Sequence, residues 1–116
     1  MTTATFHTEG DRIVGFDIRE HSGYAEEGSD IVCAAVSSAV NLVHATVNDV
    51  LGLAAAVRVD PDSARLSFHL PGGLSETDEA TCQNMLAGMM VYFADLHQQY
   101  PQYVQVVDDS PDGEES

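Results

Sequence analysis

Ser29-Asp30-Ile31-Val32-Cys33-Ala34-Ala35-Val36-Ser37-Ser38-Ala39-Val40-Asn41-Leu42-Val43-His44-Ala45-Thr46-Val47-Asn48-Asp49-Val50 is the stretch on which the fold turns. Its valine content suits a strand. Its spacing does not: Val32, Ala35, Val36, Ala39, Val40, Val43, Val47 and Val50 recur at the i, i+3, i+4, i+7 interval of a helix. Ser29 or Asp30 can cap such a helix, because a short oxygen-bearing side chain accepts from the unpaired first-turn N–H groups. The spacing predicts a helix that starts near residue 30.

Working outward, the runs on either side alternate with period two. Ala4 to Thr8 meets Arg12 to Arg19 across Glu9-Gly10-Asp11, and Val14, Phe16 and Ile18 share one face, which predicts a β-hairpin. Val57 and Val59, then Ala64, Leu66, Phe68 and Leu70, repeat the pattern around the turn Asp60-Pro61-Asp62-Ser63. After Pro71-Gly72-Gly73, Ser75 reads as the N-cap of a second helix with Glu76, Asp78 and Glu79 in its first turn. Cys82, Met85, Leu86, Met89, Phe93 and Leu96 form its apolar face, and it must end near Tyr100, ahead of Pro101. Tyr103 to Val107 closes the order ββαββαβ, an α+β fold with two long helices packed on one sheet. Residues 1–107 are expected to form a single domain, and residues 108–116, with five acids and no apolar side chain, an acidic disordered tail.

Composition narrows the function. The 116 residues carry 19 acids against four arginines and no lysine, a formal net charge of -15. Direct nucleic-acid binding is disfavoured, since phosphate contacts rest on Lys and Arg; a basic protein or peptide would be attracted instead, or the acidity serves solubility alone. The start, MTTATFHTEG, lacks a basic region followed by an apolar one, and no segment reaches roughly 18 uninterrupted apolar residues. A soluble, cytoplasmic protein without membrane contact is expected. Cys33 and Cys82 are read as free thiols. The sequence has no CxxC, no HExxH and no phosphate-cradling loop, so neither a metal nor a cofactor is expected. Met85, Met89 and Met90, at helical spacing, read as a core or dimer face.

At 100° per residue the first helix gathers Asp30, Cys33, Ser37, Asn41, His44 and Asn48 away from the valine stripe. A cysteine in the first turn of a helix feels the positive end of the helix dipole, which favours thiolate over thiol. First-turn N–H groups, that of Cys33 included, become candidates for holding an oxyanion. The same cysteine can also be no more than a small side chain in an Ala/Val helix, and Cys82, on the apolar face of the second helix, fits that description.

A thiolate nucleophile needs a base within hydrogen-bond reach. His44 lies eleven residues along the helix, about 16 Å from Cys33 at 1.5 Å per residue, and is excluded. His21 ends the second strand and begins the connection Glu20 to Ser29, which returns the chain to the helix start beside Cys33. Gly23 and Gly28 give that connection the freedom to fold as a lid. His21 is equally readable as an ordinary loop histidine, and His7, His69 and His97 have no spacing argument. Asp30 can orient an imidazole or cap the helix; Ser37 can donate to a substrate or bond back along the helix.

His21-Ser22-Gly23-Tyr24-Ala25, followed by Gly28-Ser29-Asp30-Ile31-Val32-Cys33-Ala34-Ala35-Val36-Ser37, resembles the ribosomal-processing cysteine protease family. The resemblance extends over about residues 1–108 through the order of elements. It implies a cysteine endopeptidase that removes a short N-terminal extension from a bacterial large-subunit ribosomal protein, number twenty-seven, cutting after an aromatic residue. It also implies a homodimer. Cys33 matches the family's nucleophile and His21 its base, Asp30 and Ser37 match polar positions beside the nucleophile, and Ser22, Gly23 and Gly28 belong to the substrate loop. The chain departs from the pattern at Glu20, where the family usually has glycine. The rival from another class is a non-catalytic acidic module that binds a basic ribosomal segment.

Overall fold

A computed structural model describes residues 1–20 and 29–109. The order is β1 (Thr2–Glu9), β2 (Arg12–Glu20), α1 (Ser29–His44), β3 (Ala56–Asp60), β4 (Arg65–His69), α2 (Glu76–Gln99) and β5 (Val104–Asp109). The strands form one sheet in the order β3-β4-β2-β1-β5. All neighbours are antiparallel except β5, which runs parallel to β1 with Val104 opposite Thr2. A parallel neighbour requires a crossover, and α2, 24 residues or about 36 Å long, carries the chain from β4 to the far edge. Ser75 caps it as its sequence predicts, its Oγ accepting from the Asp78 N–H at 3.1 Å.

Alternation along the strands sends Ala4, Phe6, Phe16, Ile18 and Phe68 to the helix-covered face. There Phe6 lies 5.9 Å from Phe16 and 6.0 Å from Phe93 of α2, and Phe16 stacks on Phe68 at 5.0 Å between ring centroids. Val32, Val36, Val40 and Val43 complete this core from α1, Val47 from the turn that follows it, and Cys82, Leu86, Met89, Phe93 and Leu96 from α2. The segment Ile31–Val50 is long and apolar enough to cross a membrane by length and composition alone, and it spends its valine row on the sheet.

Four details differ from the sequence reading. Val50 is 76 % exposed, because Ala45–Val50 forms a π-helical turn in which the Leu51 N–H reaches back five residues to the Thr46 carbonyl at 2.9 Å. The wider turn rotates Val50 out of the stripe. Ala64 has φ of 50° and belongs to the turn before β4 rather than to the strand. Leu70 lies beyond β4, with its N–H on the Val14 carbonyl at 2.8 Å. Finally, Asp108 and Asp109 continue β5, paired with Phe6 and His7, and are not part of a tail; residues 110–116 lie outside the described residues.

Candidate active site

The end of β2 and the first part of α1 meet at Cys33. Its half-buried thiol donates a hydrogen bond to Glu20 Oε1, at 2.5 Å. Because α1 starts at Ser29, Cys33 is its fifth residue, where α-helical geometry pairs the N–H with the carbonyl four residues back. This corrects two expectations. Cys33 is not in the first turn, and its own N–H is not a free oxyanion donor; the dipole effect, confined to about the first turn, is also weaker there.

Glu20, the partner of this thiol, also lines a cleft of about 280 Å³ whose lining does not include Cys33 itself. Val36, Ser37, Val40 and Asn41 of α1 form one wall, Ile18 and Glu20 of β2 the floor, and Val59 to Pro61 with Ala64 to Leu66, around the β3–β4 turn, the other wall. Ser37 is exposed, one helical turn beyond Cys33, and lines the cleft. His21, Ser22, Gly23 and Gly28 lie outside the described residues, as does the side chain of Asp30.

The four described histidines are placed elsewhere. His44 is exposed in the last turn of α1. The His97 Nδ1 lies 2.7 Å from the Val104 carbonyl, tying α2 to β5. His69 and His7 fall on the sheet face opposite the helices, in register with Gly15.

That open face holds a cluster that sequence reasoning missed. Asp17 accepts from Ser67 Oγ, from His7 Nε2 at 2.7 Å and from Arg65 at 3.0 Å, while His7 Nδ1 reaches Asp109 at 3.1 Å. Burial alone would raise the Asp17 pKa, but the bonds from Ser67, His7 and Arg65 outweigh it and lower it to about 2. The residue types mimic a hydrolase triad; the connectivity does not. Ser67 and His7 both bond Asp17, whereas a nucleophile must bond its base. The signal was the strand alternation, which puts residues 7, 17, 65 and 67 on one face once the register is known.

Cys82 is fully buried on α2. Burial first, then the nearby Glu79 and Asp78 charges, push its thiol pKa up, which makes it the inert cysteine of the pair. Among the described residues no group of three His, Cys, Asp or Glu side chains is arranged to hold a metal ion.

Comparison with known proteins fits this geometry. A sequence profile described as cysteine protease Prp matches residues 1–105. The ribosomal processing cysteine protease Prp of Bacillus subtilis (strain 168) is 28% identical over 110 residues, covering 91% of this chain and 96% of that one. The crystal structure of SMU.848 from Streptococcus mutans superposes with a TM-score of 0.81 at 21% identity, over 95% of each chain. The ribosomal processing protease Prp from S. aureus, solved with a substrate peptide, gives 0.74 at 18% identity over 94% of this chain and all of that one.

Proposed function

From the premise that this chain belongs to the cysteine protease Prp family, we propose that Cys33 is its nucleophile and His21 its general base. The observation that carries the assignment is the contact between Glu20 and Cys33. His21 follows Glu20 directly in the sequence, and the contact of Glu20 with Cys33 supports His21, which itself lies outside the described residues, as the base. The bonding of His7 and His97 to other groups supports the same choice by elimination.

In this reading His21 takes the thiol proton and the thiolate adds to the scissile carbonyl. His21 then protonates the departing amine, leaving a thioester on Cys33. Water, deprotonated by His21, attacks that thioester; the released acid leaves and the thiol is restored. Asp30 and Ser37 assist beside the nucleophile, Ser22, Gly23 and Gly28 form the substrate loop, and the cleft along Ser37 receives a substrate side chain. The substrate is the N-terminal extension of large-subunit ribosomal protein number twenty-seven, in the cytoplasm. The net charge of -15 attracts the basic protein that follows the extension. Family membership removes the ground for a purely non-catalytic acidic module.

A homodimer through α1 and α2 is part of the proposal. Between these helices runs an apolar groove of about 580 Å³, lined among others by Ala35, Ala39, Leu42, Met85, Met89 and Tyr92, and Leu42 is 67 % exposed. The activity is tested by incubating the protein and its Cys33→Ala variant with the extended ribosomal protein and following the product by mass spectrometry. The intact protein cuts once within the extension and the variant does not; equal cleavage by both overturns the assignment.

A further inference from the structure

We propose that Glu20 is a latch on the nucleophile: its carboxylate holds Cys33 as a less reactive thiol until substrate displaces it. The proposal rests on the assignment of Cys33 as nucleophile. Three observations on β2 and α1 support it.

The Cys33 thiol lies against Glu20 Oε1, a contact that needs one proton shared between sulfur and oxygen, and ordinary acidities leave that proton on sulfur. Glu20 is not itself a base for this thiol. The reference acidities of a carboxylic acid and a thiol differ by about four units, which makes transfer of the proton to a carboxylate unfavourable by a factor of about ten thousand. A carboxylate in contact with sulfur instead opposes the thiolate by like-charge repulsion. The position of Cys33 beyond the first turn of α1 leaves little dipole assistance to offset that repulsion.

Glu20 also forms part of the cleft beside Ser37 and Asn41, where an entering peptide competes with the thiol for its place. Displacement requires little distortion, since Glu20 is the last residue of β2, secured by its N–H on the Ala64 carbonyl at 3.0 Å while its side chain borders the open cleft. Once the carboxylate has moved, the S–H proton passes to His21 and the sulfur keeps the electron pair as the attacking thiolate. Glu20 undergoes no covalent or protonation change. Among the described residues the other charged groups lining the cleft are Asp60, at the end of β3, and Arg65, at the start of β4, and His21 and Asp30 flank the pair in sequence.

The test is the iodoacetamide labelling rate of Cys33 between pH 5 and 9 in the full-length protein, with the modified residue identified by peptide mapping. Glu20→Gln keeps the shape and an acceptor oxygen but removes the charge; Glu20→Gly removes the side chain. Both are expected to label about five- to tenfold faster at pH 7, with the midpoint of the pH–rate profile shifted downward by up to about one unit. Labelling of Glu20→Gln at or below the rate of the unmodified protein overturns the latch, whatever Glu20→Gly shows. Cleavage by Cys33→Ala decides the nucleophile separately. If that variant is inactive while Glu20→Gln labels at the unmodified rate, only the latch fails; if that variant still cuts, the nucleophile assignment fails and the latch governs no catalytic group.

Discussion

The side-chain amide of Gln83 takes the place of a strand partner for Ile13. Its Oε1 accepts from the Ile13 N–H at 2.7 Å and its Nε2 donates to the Ile13 carbonyl at 2.9 Å. The site coincides with a β-bulge, where the β1–β2 register shifts between His7 and Thr8, and bulges leave ladder groups in need of other partners. Arg12, next in the chain, reinforces the junction by donating to Glu79 and to the Pro71 carbonyl, each at 2.8 Å. Gln83→Ala orphans two part-buried backbone groups and is expected to cost about 2 kcal/mol in urea unfolding. Gln83→Glu, which keeps one acceptor, is expected to lose less.

Asp17 makes stability depend on acid. Its folded pKa of about 2 lies below the ordinary value of 3.8, so its contribution is fully present above pH 3.8 and is lost as pH falls through 2. The contribution is about 2 kcal/mol. Thermal unfolding between pH 5 and 2 is expected to show this loss in the intact protein and a flatter profile in Asp17→Asn.

The two cysteines are expected to react at very different rates. Cys33 is half-buried, whereas Cys82 is completely buried with its thiol pKa raised. Native protein exposed to an alkylating reagent gains one label, at Cys33, and gains the second only when denatured. Peptide mapping that finds Cys82 modified in the folded protein contradicts the packing of α2.

Gly15 has no room for a side chain. A Cβ there would lie 2.2 Å from the Phe68 carbonyl oxygen, and that atom is backbone in the neighbouring strand β4. Gly15→Ala must push β2 and β4 apart, with an expected loss of about 3 kcal/mol measured by denaturant unfolding.

The proposed dimer makes its own prediction. Leu42→Asp puts a charge into the groove between α1 and α2 without touching the buried valine row, so light scattering is expected to find monomer where the unaltered chain is dimeric. Unfolding stability should change by less than about 0.5 kcal/mol when monomers are compared.

Much of this architecture was legible because the apolar periods are clean. The valine row of α1 was assigned as helix against its composition, and Ser75 was read as a cap from its position before three acids. What was missed depends on long-range register. No local pattern announces that Val104 pairs with Thr2, or that Asp17 meets residues ten and fifty positions away. Val50 was misplaced because a π-helical turn breaks the 3.6-residue count, and a sequence gives no sign of that turn. At the site, the helix projection puts Cys33 on the polar side of α1 as a candidate only, and the family resemblance is what singles it out. The role of Glu20 was not legible, because its contact with the thiol depends on where β2 ends relative to α1 rather than on any spacing within the chain.

The parallel pairing of β5 with β1 has a consequence for how the chain comes into being. Thr2 is buried, with its N–H on the Tyr103 carbonyl at 2.8 Å, so the first strand made waits for the last before its outer edge is covered. Contacts of that sequence separation form slowly. During synthesis β1 and β2 can pair at once, but β1 remains an open edge until residues 104–109 have emerged. A chain of the cysteine protease Prp family therefore cannot finish this sheet until residues 104–109 have left the ribosome that makes it.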